Sequence, residues 1–188
     1  IAALDPVLMT GLPRPVTAAT GMDALTHAIE AFVGRWANSH TDRMALAAVG
    51  MLYANLRTAY RNGKDLAARE QMALAATFAG LAFTRANVGY VHAIAHQLGG
   101  TYHTPHGLAN AIMLPHVLAF ESPAITKRLA LLAVRAGVGK ASERPAVLAK
   151  KFLASIDTLS RDVGIPTQLD ALREEDIPAL AKAACWEA

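Results

Sequence analysis

Asp23 and His27 stand four residues apart in Gly21-Met22-Asp23-Ala24-Leu25-Thr26-His27, and His92 and His96 repeat that spacing in Val91-His92-Ala93-Ile94-Ala95-His96. On an α-helix, residues i and i+4 share a face about one turn apart. Each pair can therefore aim two donors at one spot. His106 follows 14 residues after His92. Carboxylate and imidazole donors without a thiolate suit Fe(II), Zn(II), Mn(II) or Co(II), and affinity order alone does not choose among them. A surface Asp–His pair is common, however, and a lone buried histidine is ordinarily a hydrogen-bonded core residue. Spacing by itself leaves the metal site and the bland reading level.

The surroundings of the histidines bear on that choice. From Ala86 to Phe120 the chain has no Asp, Glu, Lys or Arg. A membrane span needs ~20 consecutive apolar residues, and this stretch fails as one. It holds five histidines, four glycines, two prolines, a glutamine and two asparagines. Excluding ordinary charges while collecting imidazoles reads as a buried polar site, because imidazoles among apolar neighbours need partners.

Helices must position these residues. The pattern predicts helix over Val16–Val33, with Gly34 as its stop. Ser39 and Asp42 read as a capping box with Asp in place of Glu, opening a helix whose apolar face runs Met44, Ala48, Met51, Leu52, Leu56 and ends near Asn62-Gly63. Further helices are expected over Lys64–Phe83, over Tyr90–Leu98 bounded by Gly89 and Gly99-Gly100, and from Thr104-Pro105 to a break or kink at Pro115. Ile125–Ala136, Pro145–Val163 and Glu174–Ala184 complete the set. Ile1-Ala2-Ala3-Leu4-Asp5-Pro6 reads as a strand end followed by a turn, and the stretch to Pro15 as a linker. No period-two strand pattern and no repeat occur elsewhere. The reading is all-α, a multi-helix domain over residues 16–188 behind an interdomain linker and lead-in over residues 1–15.

Bulk composition supports a globular chain: 188 residues, 53% apolar and 18% charged. The net charge of +3 is spread without a run of five basic residues, which argues against nucleic-acid binding. The single cysteine, Cys185, cannot form an internal disulfide and fits a reducing, cytoplasmic setting.

Three segments together resemble the iron-containing (group III) alcohol dehydrogenases. They are Asp5-Pro6 with Leu12-Pro13 and Thr17–Glu30, then Gly89–Gly100, then Thr104–His116. Val163-Gly164-Ile165-Pro166-Thr167 matches a later landmark of that family. The resemblance covers essentially the whole chain and implies the all-helical half of an enzyme of the dehydroquinate synthase-like type. Its N-terminal partner would be an α/β dinucleotide-binding domain, and the chain looks cut at both ends from something longer.

The resemblance also implies roles. Asp23, His27, His92 and His106 would be the metal ligands, with Fe(II) favoured and Zn(II) second. His96 would be the cleft histidine near the nicotinamide of NAD or NADP, relaying a proton. The expected activity interconverts a small alcohol with an aldehyde or ketone by hydride transfer, within a homo-oligomer such as a dimer. Maleylacetate reductase or hydroxyacid–oxoacid transhydrogenase activity shares the architecture, a metal-dependent hydrolase needs the same ligand types, and an inactive metal-binding fragment is the non-enzymatic reading. Glu30 is read as a surface charge rather than a fifth ligand. His103 is read as a loop residue, His116 as packed or hydrogen-bonded, and His40 as exposed.

Overall fold

The computed structural model describes residues 3–188. Among the described residues there is no strand, and the all-α expectation holds. Of the expected strand end, Ile1-Ala2 lie outside them and residues 3–5 are neither strand nor helix, while Pro6–Met9 forms a short 3-10 turn. Seven helices follow: α1 (Arg14–Val33), α2 (Ser39–Arg61), α3 (Leu66–Ala86), α4 (Tyr90–Tyr102), α5 (His106–Arg135), α6 (Pro145–Asp162) and α7 (Ile177–Glu187). No helix among the described residues is long and apolar enough to cross a membrane.

α1 is the hub, packing against α2, α3 and α5. Its sequence explains why. Met22, Leu25, Ala28, Ile29 and Phe32 are all at most 1% exposed, and a helix apolar around most of its circumference belongs inside a core. α6 lies on α5, and α4 is held between α5 and α7. The lead-in is fastened by buried Arg69, whose guanidinium donates to the Gly63 carbonyl (2.9 Å), Thr17 Oγ1 (2.8 Å) and the Leu12 carbonyl (3.4 Å). At the other end α7 leaves Trp186 91% exposed.

Several boundaries differ from the sequence expectation. Asn38, not Ser39, caps α2: its side chain accepts from the His40 and Thr41 amides, and Thr41 Oγ1 returns a bond to the Asn38 amide. α4 runs through Gly99-Gly100 and stops only at His103, whose left-handed backbone (φ 54°) turns the chain. α5 starts one residue later than expected, with Pro105 as its cap. It also passes Pro115 unbroken and distorts instead at Ile125, two residues after Pro123. A proline removes one helical bond, and packing on α1 and α6 retains the rest of α5. The acidic run Glu174–Asp176 forms a 3-10 turn, so α7 begins at Ile177.

Candidate metal centre

A carboxylate on the hub helix is costly unless partnered, and Asp23 has partners from two other helices. Its Oδ1 lies 3.6 Å from His92 Nε2 on α4 and 3.5 Å from His106 Nε2 at the start of α5. Its Oδ2 lies 3.9 Å from His27 Nδ1 one turn along α1. The His27 ring stacks on His92 and on Phe83 of α3, each at 4.3 Å between centroids. His92 and His106 are 5.3 Å apart by the same measure. One donor atom from each of Asp23, His27, His92 and His106 falls within 4.8 Å of all the others. The structure thus brings together the four residues that the resemblance implies.

Backbone proximity makes this convergence possible. A Cβ at Gly107 would lie 2.5 Å from the Ala19 carbonyl oxygen and 3.3 Å from Asp23 Cβ. Only glycine lets the first turn of α5 approach α1 so closely, and that approach puts His106 beside Asp23. Asn110, one turn further along α5 and fully buried, donates from Nδ2 to Asp23 Oδ1 at 2.6 Å and to His106 Nε2 at 3.0 Å.

Electrostatics favour a cation among these groups. Burial opposes ionisation of Asp23, but the His92 ring facing it, the neighbouring imidazoles and the Asn110 amide outweigh it and hold the carboxyl below its usual range. Burial pushes the His27 imidazole down to about 4, against the pull of Asp23, and burial also lowers His106. Both therefore keep free lone pairs at neutral pH. Burial works the other way at His92 too, yet the Asp23 and Glu30 carboxylates override it and push the ring up to about 9. Positive charge is stabilised where His92 faces Asp23. A divalent ion can take the place of that proton.

The chemistry of the donor set fits such an ion. His92 is 2% exposed, and its Nε2 is a buried atom without a hydrogen-bond partner among the described residues. A buried polar atom left unpaired carries a cost, which coordination would remove.

Residues 17–188 match the family model described as Fe-containing alcohol dehydrogenase family, C-terminal. The chain belongs to the Fe-containing alcohol dehydrogenase family. It is 48% identical over 182 residues to 1,3-propanediol dehydrogenase of Klebsiella pneumoniae, covering 96% of this chain and 47% of that protein. It is 41% identical over 184 residues to the NAD-dependent methanol dehydrogenase of Bacillus methanolicus, covering 97% and 48%. A crystal structure of a 1,3-propanediol oxidoreductase superposes with a TM-score of 0.95 at 47% identity, over 97% of this chain and 48% of that one. The chain spans about half the length of the curated relatives it matches. Within the Fe-containing alcohol dehydrogenase family it corresponds to the C-terminal helical part.

His96 stands apart from the four. Its side chain is 43% exposed, its ring stacks on His106 at 5.3 Å between centroids, and its Nδ1–H is held by Glu187 of α7. Gln97 Nε2 donates to the same carboxylate at 2.8 Å. Two expectations need correction. Glu30 is no surface charge: it is 4% exposed, accepting from the Val91 amide and from His92. Its place on the α1 stripe one turn past His27 was visible, but its partners lie 61 and 62 residues away. His116 is exposed rather than packed, in a groove with Arg161 and Ile165. His40 and His103 are exposed, as read from their polar and loop settings. Asn110 was missed individually, although an asparagine one turn from His106 is a signal that could have found it.

Proposed function

We propose that this chain is the metal-binding half of an oxidoreductase that interconverts a small alcohol with its aldehyde or ketone, using NAD or NADP. One observation carries the reading: four nitrogen and oxygen donors within 4.8 Å of one another, in a chain of the Fe-containing alcohol dehydrogenase family. Asp23, His27, His92 and His106 would hold a divalent cation, Fe(II) by family membership with Zn(II) second. Three neutral imidazoles and one carboxylate would leave it a local charge near +1, so that it would supply Lewis-acid polarisation of a substrate oxygen, with the nicotinamide as the hydride carrier.

The remaining steps belong to the chain's own side chains. His27 and His106 stay neutral at working pH and spend no proton. His96 is half exposed beside His106, and with Nδ1 committed to Glu187 its Nε2 carries the alcohol proton to solvent. Phe83 shields one face of His27 from water. The names of the relatives point to small primary alcohols, 1,3-propanediol and methanol.

An α/β half would complete the nucleotide site, with residues 1–15 as the linker that Arg69 fastens to the helical domain 16–188. The reading extends to a cytoplasmic homo-oligomer such as a dimer, for which exposed Leu8 and Phe120 supply apolar surface.

Coexpression with the α/β half of a family member tests the activity. Metal-dependent NAD(P)H oxidation with small aldehydes is expected, abolished by chelation and restored by Fe(II) or Zn(II). A reconstituted protein that hydrolyses esters or phosphates and never turns over a nicotinamide would sink the reading.

A further inference from the structure

We infer that Glu30 is a positioning residue for the metal centre, fixing through one carboxylate both the start of α4 and the imidazole nitrogen that His92 presents to the cation. The inference rests on the reading of Asp23, His27, His92 and His106 as ligands.

Glu30 is a carboxylate buried in the hub helix, 4% exposed. An uncompensated buried charge there would be strongly destabilising, so its two partners define its work. Oε2 accepts from His92 Nδ1–H at 2.5 Å, and Oε1 accepts from the Val91 amide at 2.7 Å. Both are charge-assisted bonds, the stronger kind.

The first bond selects a tautomer. Neutral imidazole carries one N–H, and the partner of one nitrogen decides the state of the other. With a proton pinned at Nδ1, Nε2 is the nitrogen left for a cation, and Nε2 is the buried atom without a partner beside Asp23 Oδ1. The second bond fixes the helix that carries the ring. Gly89, at the N-cap of α4, offers no side-chain cap, so the Val91 amide belongs to the first-turn donors that lack a helical partner. Glu30 supplies that partner from another helix. A Cβ at Gly89 would lie 3.0 Å from Glu30 Oε1, so the glycine keeps room for the carboxylate. Adjacent residues, Val91 and His92, are thereby registered on one rigid group of α1.

A merely structural role for Glu30 and a positioning role separate in Glu30→Gln. The amide oxygen still accepts from Val91, but the amide nitrogen now donates to His92 Nδ1, moving the proton to Nε2 and blocking the lone pair. The metal-stripped full chain, E30Q and His92→Ala would each be titrated with Co(II), followed by its visible absorption, and with Zn(II) by competition. E30Q is expected to weaken binding roughly 10–100-fold while the metal-free chain stays folded with wild-type helicity.

Wild-type affinity in E30Q, with binding lost in H92A, overturns the positioning role and leaves the ligand reading intact. Wild-type affinity in H92A overturns both. Should E30Q fail to fold, histidine-nitrogen NMR of the zinc-loaded wild-type chain decides. A slowly exchanging His92 Nδ1–H supports the role, and a proton on Nε2 overturns it.

Discussion

His92 and His106 are committed to the protein to different degrees: the side chain of one is 2% exposed, that of the other 44%. Substitution should separate their structural and metal-binding contributions. In His92→Ala, Glu30 keeps only the Val91 amide, and breaking a buried charged pair is expected to cost about 3 kcal/mol of metal-free stability. In His106→Ala, a half-exposed side chain is lost and metal-free stability should change by no more than about 1 kcal/mol. Both variants should lose bound metal. Elemental analysis with denaturant unfolding checks the pair, and unchanged metal content in both would remove the ligand assignment. The sequence offered these residues by type and local spacing, and the family resemblance of their segments singled them out from His96. Glu30 and Asn110 were hidden for the opposite reason. Each acts across a helix–helix contact, on partners 61 to 87 residues away, and no local pattern says where α4 or α5 lands on α1.

At the scale of elements, the approach of α5 to α1 decides whether a site exists. Gly107→Ala puts a methyl group 2.5 Å from a main-chain carbonyl oxygen, where no flexible side chain can yield. The first turn of α5 must retreat. Overpacking of this kind costs typically 1–3 kcal/mol, and it moves His106 away from Asp23. We expect a lower melting temperature together with weaker Zn(II) binding; unchanged affinity would mean that the helices re-seat without disturbing the donors. The existence of most helices was legible, because apolar residues recur every three or four positions, but the stretch of α5 between Pro115 and Ile125 was not read as helix. The ends were less legible. Asn38 and Ser39 are both good caps by type, and only the fold chose Asn38. Gly99-Gly100 reads as a stop by propensity, yet the buried Ala95 and Leu98 just before it anchor α4, and the turn falls to His103 instead. Tertiary packing outweighs the ~1 kcal/mol helix penalty of each glycine.

For the whole molecule, the candidate donors come from three helices, α1, α4 and α5, that meet at the hub. An ion held by all three binds the folded chain and not the unfolded one, so it should raise thermal stability by mass action. At a hundredfold excess over the dissociation constant this amounts to about 2.7 kcal/mol. A chain of this size shifts by about 2–4 °C per kcal/mol. Zn(II) should therefore raise the melting temperature of the metal-stripped protein by about 5–10 °C by these relations, and the shift should vanish in His92→Ala. A melting temperature indifferent to Zn(II) in the wild-type chain would argue against a three-helix site.

Trp186 gives the protein an optical gauge of its own. The indole is 91% exposed and immediately precedes Glu187, the carboxylate that grips His96 and Gln97. Parting His96 and Gln97 from Glu187 frees the last turn of α7 to move, and Trp186 moves with it. The other tryptophan, Trp36, follows the far end of α1, and Trp36→Phe leaves Trp186 as the lone emitter. Its emission anisotropy then reports how firmly Glu187 holds the last turn of α7, without a dye or a substrate.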